Sequence, residues 1–335
     1  MAVVEVDKQM RLDQFLAQTY QKSRHQIQAA IKNGFVLVDG HPATKNGLKL
    51  KPGQIVELIT PLLPPRTPVV WEGGTIEILY EDEDLLVINK PAYLVVHPAP
   101  GTKEPTLVDW LKEYGIALST LGGEERQGIV HRIDKGTTGV LVIAKSNEAH
   151  TALAAQLQDK SMGRYYLAII DAPLKEETIV DRPIGRHPAN RLKMGIVAHG
   201  RPAKTAFLKL ATSIDGRYEL IACKLYTGRT HQIRVHLASL GRHIVGDTLY
   251  GFKERGDTIK RPFLHAWRLY LTHPRTGDAV SLMAPLFDDM KQFLQDYFDI
   301  KGIDETTTLE TLDTRFALLE RLCAVTTSRI KTYHQ

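Results

Sequence analysis

Two cysteines in 335 residues, Cys223 and Cys323, are too few and too far apart for a disulfide framework or a thiolate metal site. That usage fits a reducing compartment. His231 and His236 lie five apart, poor helical spacing for a metal, and no cysteine or convergent carboxylate completes a ligand set. No run approaches the ~18 apolar residues of a membrane span. The amino-terminal MAVVEVDKQMRLDQF interleaves acids and bases where a secretory signal needs an apolar stretch, so a cytoplasmic protein with no membrane partner is expected. No Gly-x-Gly-x-x-Gly opens a helix after a strand and there is no Walker loop, which leaves a nucleotide cofactor without support. A Gly-x-Ser-x-Gly elbow and a cysteine–histidine pairing are also missing.

What is present is an ordinary globular composition with an uneven charge. Hydrophobic residues at 43% and charged residues at 24% are near the norm for packed domains, and the length suits about two of them. The 43 Lys and Arg against 38 Asp and Glu leave only +5. Residues 288 to 320, however, carry nine acids and three bases, so the rest of the chain stands at +11. Ordinary solubility would account for part of that excess, but it also suits a polyanion, because Lys and Arg on phosphates release counterions.

Residues 11 to 20 set Leu12, Phe15, Leu16 and Tyr20 at helical spacing. Ser23 and Gln26 have capping-box spacing for a second helix that carries Ile27, Ala30 and Ile31 and ends at Gly34. FVLVDGHPA then reads as a strand into an Asp39–Gly40 turn, and QIVELI as a second strand. Arg24, Lys32, Lys45, Lys49 and Lys51 stay outside the core. RLDQFL, Ser23–Arg24, Ile31, Gly34, Val36, Val38 and Gly40 resemble the S-four-type (alpha-L) RNA-binding module, which implies RNA contacts for Arg24, Lys32 and Lys49. PLLPPRTP at 61–68 holds four of the 17 prolines and reads as a stiff linker. Beyond it, short β runs (LLVINK, VLVIAK, KTAFLKL, YELIACKLY) without regular βαβ spacing predict an α+β domain around a mostly antiparallel sheet. The boundaries expected are 1–62 for the module, 63–75 for the linker, 76–298 for the second domain and 299–335 for a carboxy-terminal extension. That extension looks helical and amphipathic through Leu309, Leu312, Phe316 and Leu319.

Polar residues crowd into three places. GIVHRIDKGTTGVLVIAK puts His131, Arg132, Asp134, Thr137 and Thr138 in a glycine turn between strands, which is costly unless the groups are used. YTGRTHQIRVHLASLGRHIVGDTLYG runs from a strand through Gly228 into a helix whose Ile233, Leu237 and Leu240 should face the core. Arg234 beside that stripe either snorkels or meets a buried carboxylate, and Asp134 is one candidate. GRYYLAII brings Arg164, Tyr165 and Tyr166 into a strand.

These stretches, with YEDEDLLVINKPAYLVVHPAPG and the weaker LHAWRLYLTHPRTG, resemble the RluA-type RNA pseudouridine synthases. Two departures are mild: His131-Arg132-Ile133-Asp134 replaces the usual His-Arg-Leu-Asp, and Thr137-Thr138-Gly139 the common Thr-Ser-Gly. The resemblance implies isomerisation of uridine to its C-glycoside without cofactor or metal. It puts Asp134 on the essential aspartate, Tyr166 on the tyrosine that packs against the base, and Arg234 on the arginine paired with the aspartate. Whether the carboxylate attacks ribose, stabilises positive charge on it or abstracts a proton stays open. The flipped uridine would be met by Arg132, Thr137, Arg229 and His231, with His131 as scaffold. Structured large-subunit ribosomal RNA is favoured over transfer RNA as substrate, and a monomer is expected. A non-catalytic RNA-binding or ribosome-assembly protein is the rival reading, although such a protein gains little from a buried aspartate. A nucleoside or glycoside hydrolase would need a second carboxylate to activate water.

Overall fold

A computed structural model describes residues 2–20, 24–32, 34–59, 73–98, 102, 104–253, 259–299 and 309–332. Most of the expected linker, Ser23 of the expected capping box, and residues 300–308 of the extension lie outside the described residues. The chain divides into two compact units, Met1–Val69 and Val70–Gln335.

The first unit runs β1 (Ala2–Glu5), β2 (Met10–Arg11), α1 (Leu12–Tyr20), α2 (Arg24–Lys32), β3 (Val36–Val38), β4 (His41–Pro42), β5 (Lys49–Leu50) and β6 (Ile55–Leu58). Leu12, Phe15 and Leu16 of α1 and Ile27 and Ile31 of α2 pack on Val36, Val38 and Val56, the core that the helical spacing predicts. Asp39 and Gly40 both have positive φ, 51° and 77°, which folds β3 onto β4 in the tight hairpin expected of an Asp-Gly pair. The Asp39 carboxylate accepts from the Ile55 amide at 2.8 Å and from Gln54 at 2.7 Å, and these bonds hold its pKa below the ordinary range. Lys32 and Lys49 are exposed.

The second unit continues with β7 (Glu77–Glu81), β8 (Leu85–Lys90), α3 (Leu107–Glu113), β9 (Thr138–Ala144), α4 (Asn147–Asp159), β10 (Gly163–Ile170), β11 (Thr178–Asp181), β12 (Ile184–Arg186), β13 (Met194–Ile196), β14 (Lys204–Thr212), β15 (Glu219–Leu225), α5 (Gln232–Ser239), β16 (Leu264–Thr272), β17 (Ala279–Met283), α6 (Asp288–Tyr297) and α7 (Leu309–Thr332). Nine strands form one sheet in the order β11-β14-β15-β10-β16-β9-β8-β7, with β17 beside β16. The pairings are antiparallel except β9 with β16, so the α+β fold with a mostly antiparallel sheet is the one observed. No described helix is long and apolar enough to cross a membrane.

Alternation along β10 separates two cores. Tyr166, Ala168 and Ile170 join Leu153 of α4 and Ile233 and Leu237 of α5 on one face, whereas Tyr165, Leu167 and Ile169 meet α6 and Leu312, Phe316 and Leu319 of α7 on the other. Leu240 departs from expectation: it caps α5 and is 37% exposed, because the helix ends before the stripe reaches it. The carboxy-terminal acids are partly consumed on this second face. Asp313 takes the Tyr165 hydroxyl and Arg268, and Glu320 takes Lys224 and the Tyr226 hydroxyl.

The parallel junction is short, Thr138 with His265 and Gly139 with Ala266. Gly139 has φ 111°, and a Cβ there would stand 2.1 Å from the Ala266 carbonyl oxygen. No neighbouring side chain can yield to relieve a backbone clash. Gly139→Ala should therefore destabilise the second unit by more than about 3 kcal/mol, through overpacking and backbone strain together. Urea unfolding monitored by tryptophan fluorescence tests this, and a transition within experimental error of wild type would refute it.

Candidate active site

Asp134 lies in the turn that enters β9, closed by the Thr137 amide donating to the Asp134 carbonyl at 3.0 Å. The turn is held from below. The Lys135 carbonyl accepts from the Tyr93 amide at 2.8 Å and, at 3.4 Å, from the ammonium of Lys90. Lys90 is fully buried, also donates to the carbonyls of Pro91 and Leu94 at 2.7 and 2.9 Å, and burial pushes its pKa down to about 7. His131, buried three residues before the aspartate, accepts the Val142 amide at 3.1 Å; burial keeps its pKa well below the ordinary histidine value. That is the scaffold use expected of it.

Arg234 comes from α5, whose first turn is preceded by His231 in the left-handed region at φ 58°. Its guanidinium is 9% exposed and holds Asp247 with two bonds, Nε to Oδ2 at 2.6 Å and Nη2 to Oδ1 at 2.8 Å. A third donor, Nη1, reaches Oδ2 of Asp134 at 3.3 Å. Burial works against the arginine's charge, but the bonds from Asp247 and the attraction of Asp134 prevail and raise its pKa. Asp247 is 1% exposed with both oxygens engaged, whereas the Asp134 side chain is 19% exposed. The two carboxylates on one arginine are thus unequal: one is a buried strut and the other faces the cleft.

That cleft, about 530 Å³ with its open mouth, is lined by Arg132, Asp134, Thr137, Arg164, Tyr166, Arg229, His231 and Arg234 together with Leu225, Leu264 and neighbouring residues. Tyr166 is 4% exposed and burial raises its phenol pKa. His231 presents Nε2 3.9 Å from Asp134 while Nδ1 meets the Tyr250 hydroxyl at 2.9 Å. Burial lowers its pKa, offset only in part by Asp134, so the ring is neutral at pH 7. Arg229 donates to the Pro202 carbonyl at 2.9 Å, and Arg132, exposed, lies 3.3 Å from His97. Seven sequence-predicted residues therefore share one cleft. Arg24, Lys32 and Lys49 belong to the first unit, and the Arg24 side chain lies outside the described residues.

Sequence reasoning missed Asp247, the main partner of Arg234. The signal was available in GDTLYG, since an arginine on a buried helix face needs a carboxylate and Asp247 follows thirteen residues on. It also passed over Tyr250, whose ring lies 4.7 Å from the Arg234 guanidinium and whose hydroxyl accepts the Met194 amide at 2.8 Å.

Comparison with known proteins agrees with this geometry. Residues 84–239 match the RNA pseudouridylate synthase family and residues 10–56 the S4 domain. A Helicobacter pylori protein named as an uncharacterized RNA pseudouridine synthase is 46% identical over 311 residues, spanning 90% of this chain and 94% of its own. The ribosomal large subunit pseudouridine synthase D of Nitrosomonas europaea is 42% identical over 294 residues, 85% and 84% of the two chains. Human RNA pseudouridylate synthase domain containing 4 superposes with a TM-score of 0.50 at 26% identity, covering 65% of this chain and 92% of that one. The chain is thus an RNA-modifying isomerase by class. It belongs to the RNA pseudouridine synthase family.

The seam behind the cleft carries a pH dependence. His265 donates from Nε2 to the Ala284 carbonyl at 3.0 Å, an assignment forced because a carbonyl only accepts, so Nδ1 accepts from Thr138 at 2.8 Å. Burial pushes its pKa down to about 4, against roughly 6.5 in an unfolded chain. Its contribution to stability is complete above pH 6.5 and is lost as pH falls towards 4, because the unfolded state binds the proton more readily. His265→Gln should flatten the pH dependence of unfolding free energy in that window, as read by urea titrations across it; an unaltered slope would mean that the ring is not held neutral.

Proposed function

We propose that this chain isomerises uridines of large-subunit ribosomal RNA to pseudouridine, with Asp134 as the essential carboxylate. The observation that carries the reading is the Asp134 carboxylate gripped by Arg234 at 3.3 Å beside the Tyr166 ring in a cleft otherwise rich in arginine. The target uridine flips out of its stack, at a cost of a few kcal/mol, and its base packs on Tyr166. Arg234 aims Asp134 through Oδ2 while Oδ1, which takes no hydrogen bond from a described residue, turns to ribose C1′. Neutral His231 and Thr137 bound the pocket, exposed Arg132 fills the vacated stack or meets a phosphate, and Arg229 meets the backbone beside it.

Asp134 is the one carboxylate among the described residues lining the cleft, and Asp247 is sealed beneath it. That favours isomerisation over a hydrolase, which needs a second carboxylate to activate water. The name of the Nitrosomonas relative supports ribosomal RNA as substrate. The S4 module supports a structured target, with Arg24, Lys32 and Lys49 on phosphates. A monomer that works in the cytoplasm completes the proposal.

Asp134→Asn should abolish pseudouridine formation, measured by site-resolved mapping on ribosomal RNA, while RNA affinity stays within about three-fold of wild type. Near-normal turnover by that variant would sink the assignment. Deleting residues 1–62 should make the fall of log affinity with log salt shallower by about 0.7 to 0.9 for each phosphate contact removed. An identical slope in filter-binding titrations would mean that the module does not touch RNA.

A further inference from the structure

Four arginines line the cleft, and three have an evident occupation. Arg234 holds two carboxylates, Arg229 donates to Pro202 and exposed Arg132 meets His97. Arg164 is different. It is 9% exposed, its Nε is buried without a partner, and no described residue forms a hydrogen bond or ion pair with its guanidinium. Desolvating a cation without a counterion is costly, so its place is accounted for only by something that enters the cleft.

Geometry narrows what that is. Arg164 precedes Tyr166 by two residues on β10, so the pleat sends both side chains to the same face. Its tip fits under the loop before α5 because residue 228 is glycine: a Cβ there would stand 3.2 Å from Nη2. Nδ1 of buried His131 is a second polar atom without a partner, and the Arg164 charge adds to the burial that keeps that ring neutral. The cleft's more exposed cations, Arg132 and Arg229, are placed to meet backbone phosphates. Arg164 lies with Tyr166 among the buried lining residues, where a flat base would go.

We propose that Arg164 receives the uracil ring, donating to one of its carbonyl oxygens and stabilising the negative charge the ring carries while detached from ribose. The inference rests on the isomerase reading above. When the C1′–N1 bond breaks, its electron pair stays with uracil and spreads to the carbonyl oxygens, while Asp134 balances the positive charge on ribose. The ring turns, C5 bonds to C1′ with an electron pair from the ring, C5 loses its proton and N1 gains one. Charge at the carbonyls is greatest between these events. A fixed guanidinium aimed there acts on the transition state more than on the bound substrate.

The test compares the full-length wild type, Arg164→Gln and Arg164→Lys on transcripts of large-subunit ribosomal RNA made with uridine, 2-thiouridine or 4-thiouridine. Isomer formation is read in single turnovers by chromatography of the digested nucleosides. On uridine RNA, Arg164→Gln should slow isomerisation about 100-fold, with RNA affinity held within about two-fold. Arg164→Lys, which keeps the charge, should regain part of the rate and serves if the glutamine variant does not fold. Sulfur accepts hydrogen bonds poorly, so wild type should lose rate on one of the two thio transcripts, and Arg164→Gln should lose little more on that one. Losses that simply add on both transcripts, or an affinity that falls as far as the rate, would overturn the assignment and point to a phosphate contact or to structural support. An inactive wild type would overturn the isomerase reading as well; an active one with additive losses overturns the role of Arg164 alone.

Discussion

The cleft depends on a seam two residues long. Strands β7, β8 and β9 form one part of the sheet and β16, β17, β10, β15, β14 and β11 the rest, and they meet where Thr138 and Gly139 run parallel to His265 and Ala266. Gly139 makes that approach possible, since any side chain would strike the Ala266 carbonyl. From it a single row crosses the sheet: Gly139 faces Ala266, Ala266 faces Tyr166, and Tyr166 faces Cys223. Asp134 sits in the turn that feeds β9, and Tyr166 lies on β10, two strands along across the seam. The turn that bears Asp134 and the strand that bears Tyr166 are thereby tied together through β16.

Electrostatics divides labour between two aspartates. Asp247 gives both oxygens to Arg234 in a dry setting, where an arginine left without its carboxylate would be strongly destabilising. With the arginine so fixed, its third donor reaches Asp134 and leaves that group part of its hydrogen-bonding capacity. Lys90 works on the same turn by another route, tying three carbonyls with a single ammonium and placing positive charge beneath the aspartate. Tyr250 links the pair outward, with its ring against Arg234 and its hydroxyl shared by His231 and Met194 of β13.

Periodicity carried the first unit well, because α1 and α2 bury their own stripes locally: Leu12, Phe15, Leu16, Ile27 and Ile31 are all in the core. The glycine turn around Asp134 was legible for a similar reason, since polar residues packed between strand runs demand a use. Long-range partners were not. That Arg234 needs a carboxylate could be read, but which one grips it is settled by a fold of the chain, and nothing in LLVINK marks Lys90 as fully buried. Leu240 falls one residue beyond α5, which stops at Ser239, and so leaves the buried stripe. The second face of the sheet was legible only as amphipathicity in α7, and the hydroxyls of Tyr165 and Tyr226 that it satisfies had no sequence signature.

The seam also sets a clock during synthesis. Thr138 and His265, which it joins, are 127 residues apart in the chain. At 5 to 20 residues per second a ribosome needs roughly 6 to 25 s to make that span. Throughout it, β9 has no partner on its β16 side, and for most of it the turn bearing Asp134 has no Arg234 to hold it. The first unit, closed by contacts within sixty residues, can be folded long before. A nascent chain can thus close its S4 module early, whereas the cleft waits until β16 has been made and the seam can form.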